Sequence, residues 1–140
     1  MSAADLGYDD IAVGMEASFD RRITEADVRT FAELSGDTNP LHMDEGYAGG
    51  TAFGGRIVHG MLTSALLSRL VGMHLPGKHA LYVSQTLDFV RPVRPGDTVR
   101  VSGTVLSKQD ATKALELRTE ISLPDGAAVV RGRAIVRVLR

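Results

Sequence analysis

The sequence predicts an α+β fold in which an antiparallel sheet curls around one long central helix. Three observations predict it. The segment "RIVHGMLTSALLSRLVGMHL" (56–75) is the most apolar of the chain and is apolar over most of a helix circumference. At least four segments after it alternate apolar and polar residues with period two, the pattern of half-buried antiparallel strands. The chain has 140 residues, 44% of them hydrophobic, which suits one domain over 1–140 with a real core.

Taken in order, "EASFDRRI" (16–23) reads as a short strand. "TEADVRTFAELSG" (24–36) reads as a helix, with Thr24 as N-cap, Asp27 in a capping-box position and Gly36 placed to end it. Val28, Phe31, Ala32 and Leu34 supply an imperfect apolar face. Asp37 to about Arg56 is a long irregular region containing Asn39-Pro40, Gly49-Gly50 and Gly54-Gly55, a length that in compact domains often serves function. The apolar helix follows, stopped by Pro76-Gly77, and its all-round apolarity predicts burial on every side. In the strand region Leu81, Val83, Leu87 and Phe89 share one parity, which Gln85 breaks. Val99, Val101 and Val105 form a second alternating set, Leu115, Leu117, Ile121 and Leu123 a third, and Ala128, Val130, Ala134, Val136 and Val138 a fourth. "RPGD" and "LPDGA" supply turns. One sheet cannot cover the helix on all sides, so leftover apolar surface predicts a homodimer.

Composition excludes several classes. A net charge of -1, without Trp and with few aromatics, gives no surface for nucleic acid or an anionic membrane. The absence of Cys excludes disulfides, thiol nucleophiles and Cys-ligated metals. No apolar run reaches the roughly 18 residues of a membrane span. The start, "MSAADLGYDD", has no signal-peptide pattern, so a cytoplasmic protein is expected. His42, His59, His74 and His79 show no metal-ligand spacing, and no metal is expected. Phosphate-binding loops and the nucleophile elbow are missing too.

The chemistry centres on "SGDTNPLH" (35–42). Asp37 and His42 read either as an Asx-type turn with a surface imidazole or as an acid–base pair. Pro40 forbids continued helix and restricts Asn39 to extended backbone, so the turn is rigid in both readings. A carboxylate and an imidazole sharing one water can deliver hydroxide and proton to the same side of a substrate. In "RIVHGM", Gly60 sits near the start of the apolar helix, where glycine costs about 1 kcal/mol relative to alanine. Close packing explains it, and so does a backbone N–H offered to a polarised carbonyl oxygen. Ser64 and Ser68 bond helix carbonyls or support a catalytic group. Val71, three residues beyond Ser68, and Val136, on an inward strand face, are candidates to line an acyl pocket. Arg91, Arg94 and Lys78 are solvated strand-end cations or contacts for a ligand's phosphates.

"FAELSGDTNPLHMDEGYA" resembles the hydratase-2 signature of MaoC-like (R)-specific enoyl-CoA hydratases: an aromatic residue, a small-residue turn, Asp-x-Asn-Pro-apolar-His, and a small residue further on. "FGGRIVHGML" resembles the segment that follows it in that family, and "QTLDFVRPVRPGDTV" fits the usual entry into the sheet. The resemblance runs from about Val13 to Arg140 and has the length of short single-hot-dog members, of the kind that supply (R)-3-hydroxyacyl-CoA for polyhydroxyalkanoate synthesis. It implies a hot-dog fold, a homodimer, and reversible syn hydration of trans-2-enoyl-CoA to (R)-3-hydroxyacyl-CoA. The substrate carries coenzyme A, and no cofactor or metal is implied. By position in the motif, Asp37 and His42 are the catalytic pair, and Asn39 shapes the turn or binds the catalytic group beside it. Gly60 presents its N–H to the thioester oxygen, and Ser68 supports the Asp. His42 is favoured as base and Asp37 as acid in hydration. The alternatives are a dehydratase acting on an acyl-carrier-protein or a branched or dicarboxylic acyl-CoA, a hot-dog thioesterase, and a non-catalytic acyl-CoA-binding module.

Overall fold

In the computed structural model, which describes Met1–Arg140, the chain begins with a short 3-10 turn, Tyr8–Asp10. Strand β1 (Glu16–Arg22) then leads into helix α1 (Glu25–Ser35). The predicted capping box is formed. Thr24 Oγ1 accepts the Asp27 N–H at 3.1 Å, and an Asp27 carboxylate oxygen accepts the Thr24 N–H at 2.9 Å. Arg21 closes on the same carboxylate with two hydrogen bonds, at 2.9 and 3.1 Å. Gly36 ends α1 in the left-handed conformation (φ 78°), which glycine adopts without strain. Val28 and Ala32 face the core, whereas Leu34 points to solvent.

The region expected to be irregular is more ordered than its composition indicates. It holds two short helices, α2 (Pro40–Met43) and α3 (Glu45–Gly49). Pro40 occupies the first turn of α2, where its missing N–H is not needed, and Asn39 caps that helix through its side chain.

Helix α4 (Gly60–Arg69) continues into a π-helical turn, Leu70–His74. Leu67 and Leu70 are 2% and 0% exposed; burying each contributes about 1.5–3 kcal/mol. The helix is not buried all round, however. Met61, Ala65 and Ser68 recur at helical spacing and are exposed, so one stripe lies outside the sheet's reach. No helix is long and apolar enough to cross a membrane.

The sheet comprises β2 (Ala80–Gln85), β3 (Asp88–Phe89), β4 (Thr98–Gln109), β5 (Ala114–Ser122) and β6 (Ala128–Val138) together with β1. The strand order is β1-β4-β5-β6-β2, with β3 also beside β6, and every pairing is antiparallel. This is the hot-dog arrangement, a curled antiparallel sheet with α4 against its inner face. The inward parities read for β4, β5 and most of β6 hold: Val99, Val101, Val105, Leu115, Leu117, Ile121, Ala134 and Val136 are all essentially inaccessible. In β2 the parity differs. A register shift between Tyr82 and Ser84 leaves Val83 in a bulge, and Leu81 and Val83 are exposed while Tyr82 packs on the core. The same bulge turns Gln85 inward, where its amide donates to Thr119 Oγ1 at 2.9 Å and its Oε1 accepts from the Tyr82 hydroxyl.

The core is divided. One cluster, including Phe19, Val28, Val58, Leu67, Leu70, Val101 and Ile121, underlies the α1–α3 region. The other, including Tyr8, Ile11, Val71, Leu75, Leu117 and Val136, lies toward the N-terminal segment. Between them runs a row across three strands, Gly103, Thr119 and Gly132, in direct register.

Candidate active site

The turn after α1 is built from nested side-chain bonds. Asp37 Oδ1 accepts the Asn39 N–H at 3.2 Å, and Asn39 Oδ1 accepts the Leu41 N–H at 2.9 Å. Both are Asx turns, so the local reading of Asp37 is correct. The same turn places Asp37 beside His42. Asp37 Oδ2 and His42 Nε2 stand 4.0 Å apart, with side chains 49% and 14% exposed. That gap is too long for a hydrogen bond, but a water at about 2.8 Å from each atom fits it with an angle near 90°. His42 Nδ1 donates to the Ile57 carbonyl at 2.8 Å. A carbonyl only accepts, so in the neutral ring the proton is on Nδ1 and the Nε2 lone pair faces the gap.

Arginines hold the loops that carry this turn. The Arg56 guanidinium donates to Glu45 at 3.0 Å, to the His42 carbonyl at 3.3 Å, and to Glu25 of α1. The two carboxylates hold its pKa above the ordinary arginine value. Arg94 donates to the carbonyls of Gly55, at 3.0 Å, and Phe53. It therefore serves the loop and is not a free cation for phosphate. Lys78 is also engaged, with Asp5 at 2.8 Å. Arg91 alone of the three lies on the rim of the cleft described next.

His42 opens into a cleft of about 450 Å³ whose walls include Phe53, Ile57, Met61, Phe89, Val93 and Val130. Its size and apolar lining suit a small-molecule ligand with a hydrophobic portion. Gly60 lies on this cleft as the first residue of α4, where a helix N–H has no intrahelical acceptor and the dipole end is positive. A Cβ at Gly60 would come within 2.7 Å of the Phe89 ring, so close packing is itself a reason for glycine here.

Sequence reasoning gave His59 only a place near the helix start. It is 2% exposed, its Nε2 donates to the Asp37 carbonyl at 2.9 Å, and its ring stacks on His42 with centroids 4.0 Å apart. Its Nδ1 and the hydroxyl of Thr63, which borders the cleft, are buried polar atoms without a partner. Asp37, His42 and His59 bring their donor atoms within 4.8 Å of one another. Each imidazole already commits one nitrogen to a main-chain carbonyl, His42 Nδ1 to Ile57 and His59 Nε2 to Asp37.

Three predicted residues lie elsewhere. Ser68 is exposed and makes no hydrogen bond to Asp37, because it is eight residues beyond Gly60, about 12 Å along the helix. Ser64 is the buried serine, and it donates to the Gly60 carbonyl at 2.8 Å. Val71 and Val136 are 1% and 0% exposed and meet in the second core cluster, away from the cleft. Within this protomer both are packing residues.

Comparison with known proteins identifies the family. The model of the MaoC like domain matches residues 10–123. The chain is 44% identical to a protein of Rhodospirillum rubrum named (R)-specific enoyl-CoA hydratase, covering 99% of this chain and 97% of that one. It is 41% identical to the 3-hydroxybutyryl-CoA dehydratase of Methylorubrum extorquens, over 95% and 84% of the two chains. Among solved structures, the R-hydratase PhaJ1 of Pseudomonas aeruginosa superposes with a TM-score of 0.92 at 38% identity, covering 97% of this chain and 87% of that one. With the family model spanning most of the chain and these relatives matching it nearly end to end, the protein belongs to the MaoC-like family.

Proposed function

We propose that the protein catalyses the reversible (R)-specific hydration of trans-2-enoyl-CoA to (R)-3-hydroxyacyl-CoA, with Asp37 and His42 as the catalytic pair. The observation that carries this is the water-sized gap between His42 Nε2 and Asp37 Oδ2, set beside a helix N-terminus on an apolar cleft. Two relatives named as a hydratase and a dehydratase support the same reaction read in its two directions.

In this mechanism the water in the gap gives a proton to the free lone pair of His42 Nε2, and its oxygen attacks C3 of the enoyl thioester. Charge moves to the thioester oxygen, and the Gly60 N–H stabilises it; losing such a donor typically costs about 2.7–4 kcal/mol. Asp37, entering the step protonated, delivers that proton to C2, and the proton taken up by His42 then passes to the Asp37 carboxylate through the next water, which restores the pair. The two groups flank one water site and act on the same face of the substrate, so addition is syn. The protein needs no metal or redox cofactor for these steps, and the substrate brings its own coenzyme A. The product is of the kind that polyhydroxyalkanoate synthesis consumes, and the enzyme works in the cytoplasm.

The working form is a homodimer. Supporting this, the stripe Met61–Ala65–Ser68 and the outward Leu81 and Val83 leave apolar surface open, and β2 has one hydrogen-bonding edge unpaired.

The test is the loss of enoyl-thioester absorbance with crotonyl-CoA. Wild type removes the signal, and Asp37→Asn and His42→Ala each slow it by about 10²–10⁴-fold. An unaltered rate in either variant would defeat the pair as catalysts, and release of free CoA thiol instead of hydration would make the protein a thioesterase.

A further inference from the structure

We infer that His59 is a positioning residue that holds Asp37 and His42 in register for the shared water; this rests on the hydratase reading above.

The His59 side chain touches both halves of the pair. Its Nε2 donates to the main-chain carbonyl of Asp37 at 2.9 Å, and its ring lies against the His42 imidazole at 4.0 Å. It also meets Phe31 of α1, with centroids 4.9 Å apart. The ring therefore contacts both a helix that precedes the catalytic turn and an imidazole that follows it. The acceptor is a carbonyl, so the bonded nitrogen carries the proton and the other nitrogen is a bare lone pair. That second nitrogen, Nδ1, is buried without a donor.

The position makes this choice of residue informative. His59 is the N-cap of α4, a place where Ser, Thr, Asp or Asn would satisfy a free helix N–H. Its side chain makes no capping hydrogen bond and is spent on Asp37 instead. The sequence thus gives up a local stabilising contact and leaves a polar atom unpaired, in return for a fixed bridge from the first residues of α4 to the catalytic turn. The same residue precedes Gly60, so the bridge also locks the helix N–H to the turn. The 4.0 Å gap and the distance from the gap to Gly60 are then set by one buried ring. Asp37 itself is half open to solvent and is otherwise held by local contacts, its own Asx turn and its N–H donated to Ser35 Oγ at 3.1 Å. Reacting groups displaced by about 1 Å lose on the order of 10²-fold in rate. Substrate affinity depends on the cleft walls, which His59 does not form.

The experiment compares His59→Phe, which keeps a planar ring but removes the donor, with His59→Gln, whose amide nitrogen falls near the imidazole Nε2. Crotonyl-CoA hydration is measured for kcat and KM, and folding by circular dichroism and Tm. His59→Phe should lower kcat by about 10–100-fold with KM changed by less than about 3-fold, and His59→Gln should recover at least about 5-fold of that loss. The inference is overturned if His59→Phe keeps wild-type kcat, or if kcat falls in both variants only in step with lost folding. A second measurement needs no variant: a long-range ¹H–¹⁵N spectrum of the wild-type imidazoles should show His59 protonated at Nε2, and protonation at Nδ1 alone would refute the bridge. A wild type that does not hydrate crotonyl-CoA would fail the hydratase reading itself, whereas an active wild type with an indifferent His59→Phe fails only this inference.

Discussion

Substituting Gly132→Ala should break the sheet where β2 gives way to β3. A Cβ at this position would lie 1.9 Å from the Thr86 carbonyl oxygen and 2.8 Å from the Gln85 amide nitrogen. Gln85 is a side chain and can swing aside, but Thr86 is main chain and must retreat by about 1.1 Å to reach even 3.0 Å. The retreat strains two hydrogen bonds, Thr86 N–H to the Arg133 carbonyl and Arg133 N–H to Thr86 Oγ1, both 2.9 Å. Overpacking of this kind costs about 1–3 kcal/mol and each weakened bond about 1 kcal/mol, so the total is about 3–5 kcal/mol. For a domain of this size that lowers Tm by about 10–15 °C, read by thermal unfolding followed by circular dichroism. Gly49→Ala is the matched control: it lies at the exposed end of α3 with nothing within 4 Å of a new Cβ, and should leave Tm unchanged or slightly raised. A Gly132→Ala protein whose Tm stays within about 2 °C of wild type would refute the close approach of Thr86 to β6.

Two further outcomes follow from charged contacts. Asp27→Asn should cost about 1–2 kcal/mol by weakening the cap of α1 and the paired bonds to Arg21. Arg21 holds the Asp27 carboxyl below its ordinary value of 3.8, so its contribution is full above that pH and disappears as pH falls through the lower folded value. The Tm gap between wild type and variant should close below about pH 4, and a constant gap would show that the charge is irrelevant. Arg56→Lys keeps the charge but not the fork that joins Glu45, Glu25 and the His42 carbonyl. It should lower kcat/KM for crotonyl-CoA by about 10-fold through displacement of His42, and an unchanged value would mean that the loop holds itself.

What the sequence made legible was what neighbours in the chain determine. Thr24, Asp27 and Gly36 sit within one helix length of each other, and their caps form as read. The parities of β4 and β5 follow from period two alone. The juxtaposition of Asp37 and His42 was readable because five residues and one proline fix it. The missed features depend on distant partners. The Val83 bulge leads into the Gln85–Thr86 segment, which rests on Gly132 across the sheet. The bridge from His59 to Asp37 spans 22 residues and that from Arg56 to Glu25 spans 31, beyond any local pattern. The all-round apolarity of α4 suggested complete burial, but composition does not say how far one sheet can wrap, and Met61 remains 57% exposed. Ser68 entered through motif position, Val71 through its helical spacing from Ser68 and Val136 through strand parity, signals that fix register along the chain but not which side of α4 or which half of the core a residue serves.

The row Gly103–Thr119–Gly132 also bears on how this protein can change over generations. It separates two packed clusters, of which only the first lies under the catalytic turn and the cleft. Substitutions on opposite sides of the row share few neighbours, Ala17 being one that packs on both, so their stability effects should largely add. The cluster of Tyr8, Ile11, Leu75 and Leu117 then acts as ballast for the fold. Lineages can reshape the cleft by drift on one side of the row while the packing that keeps the chain folded stays intact on the other.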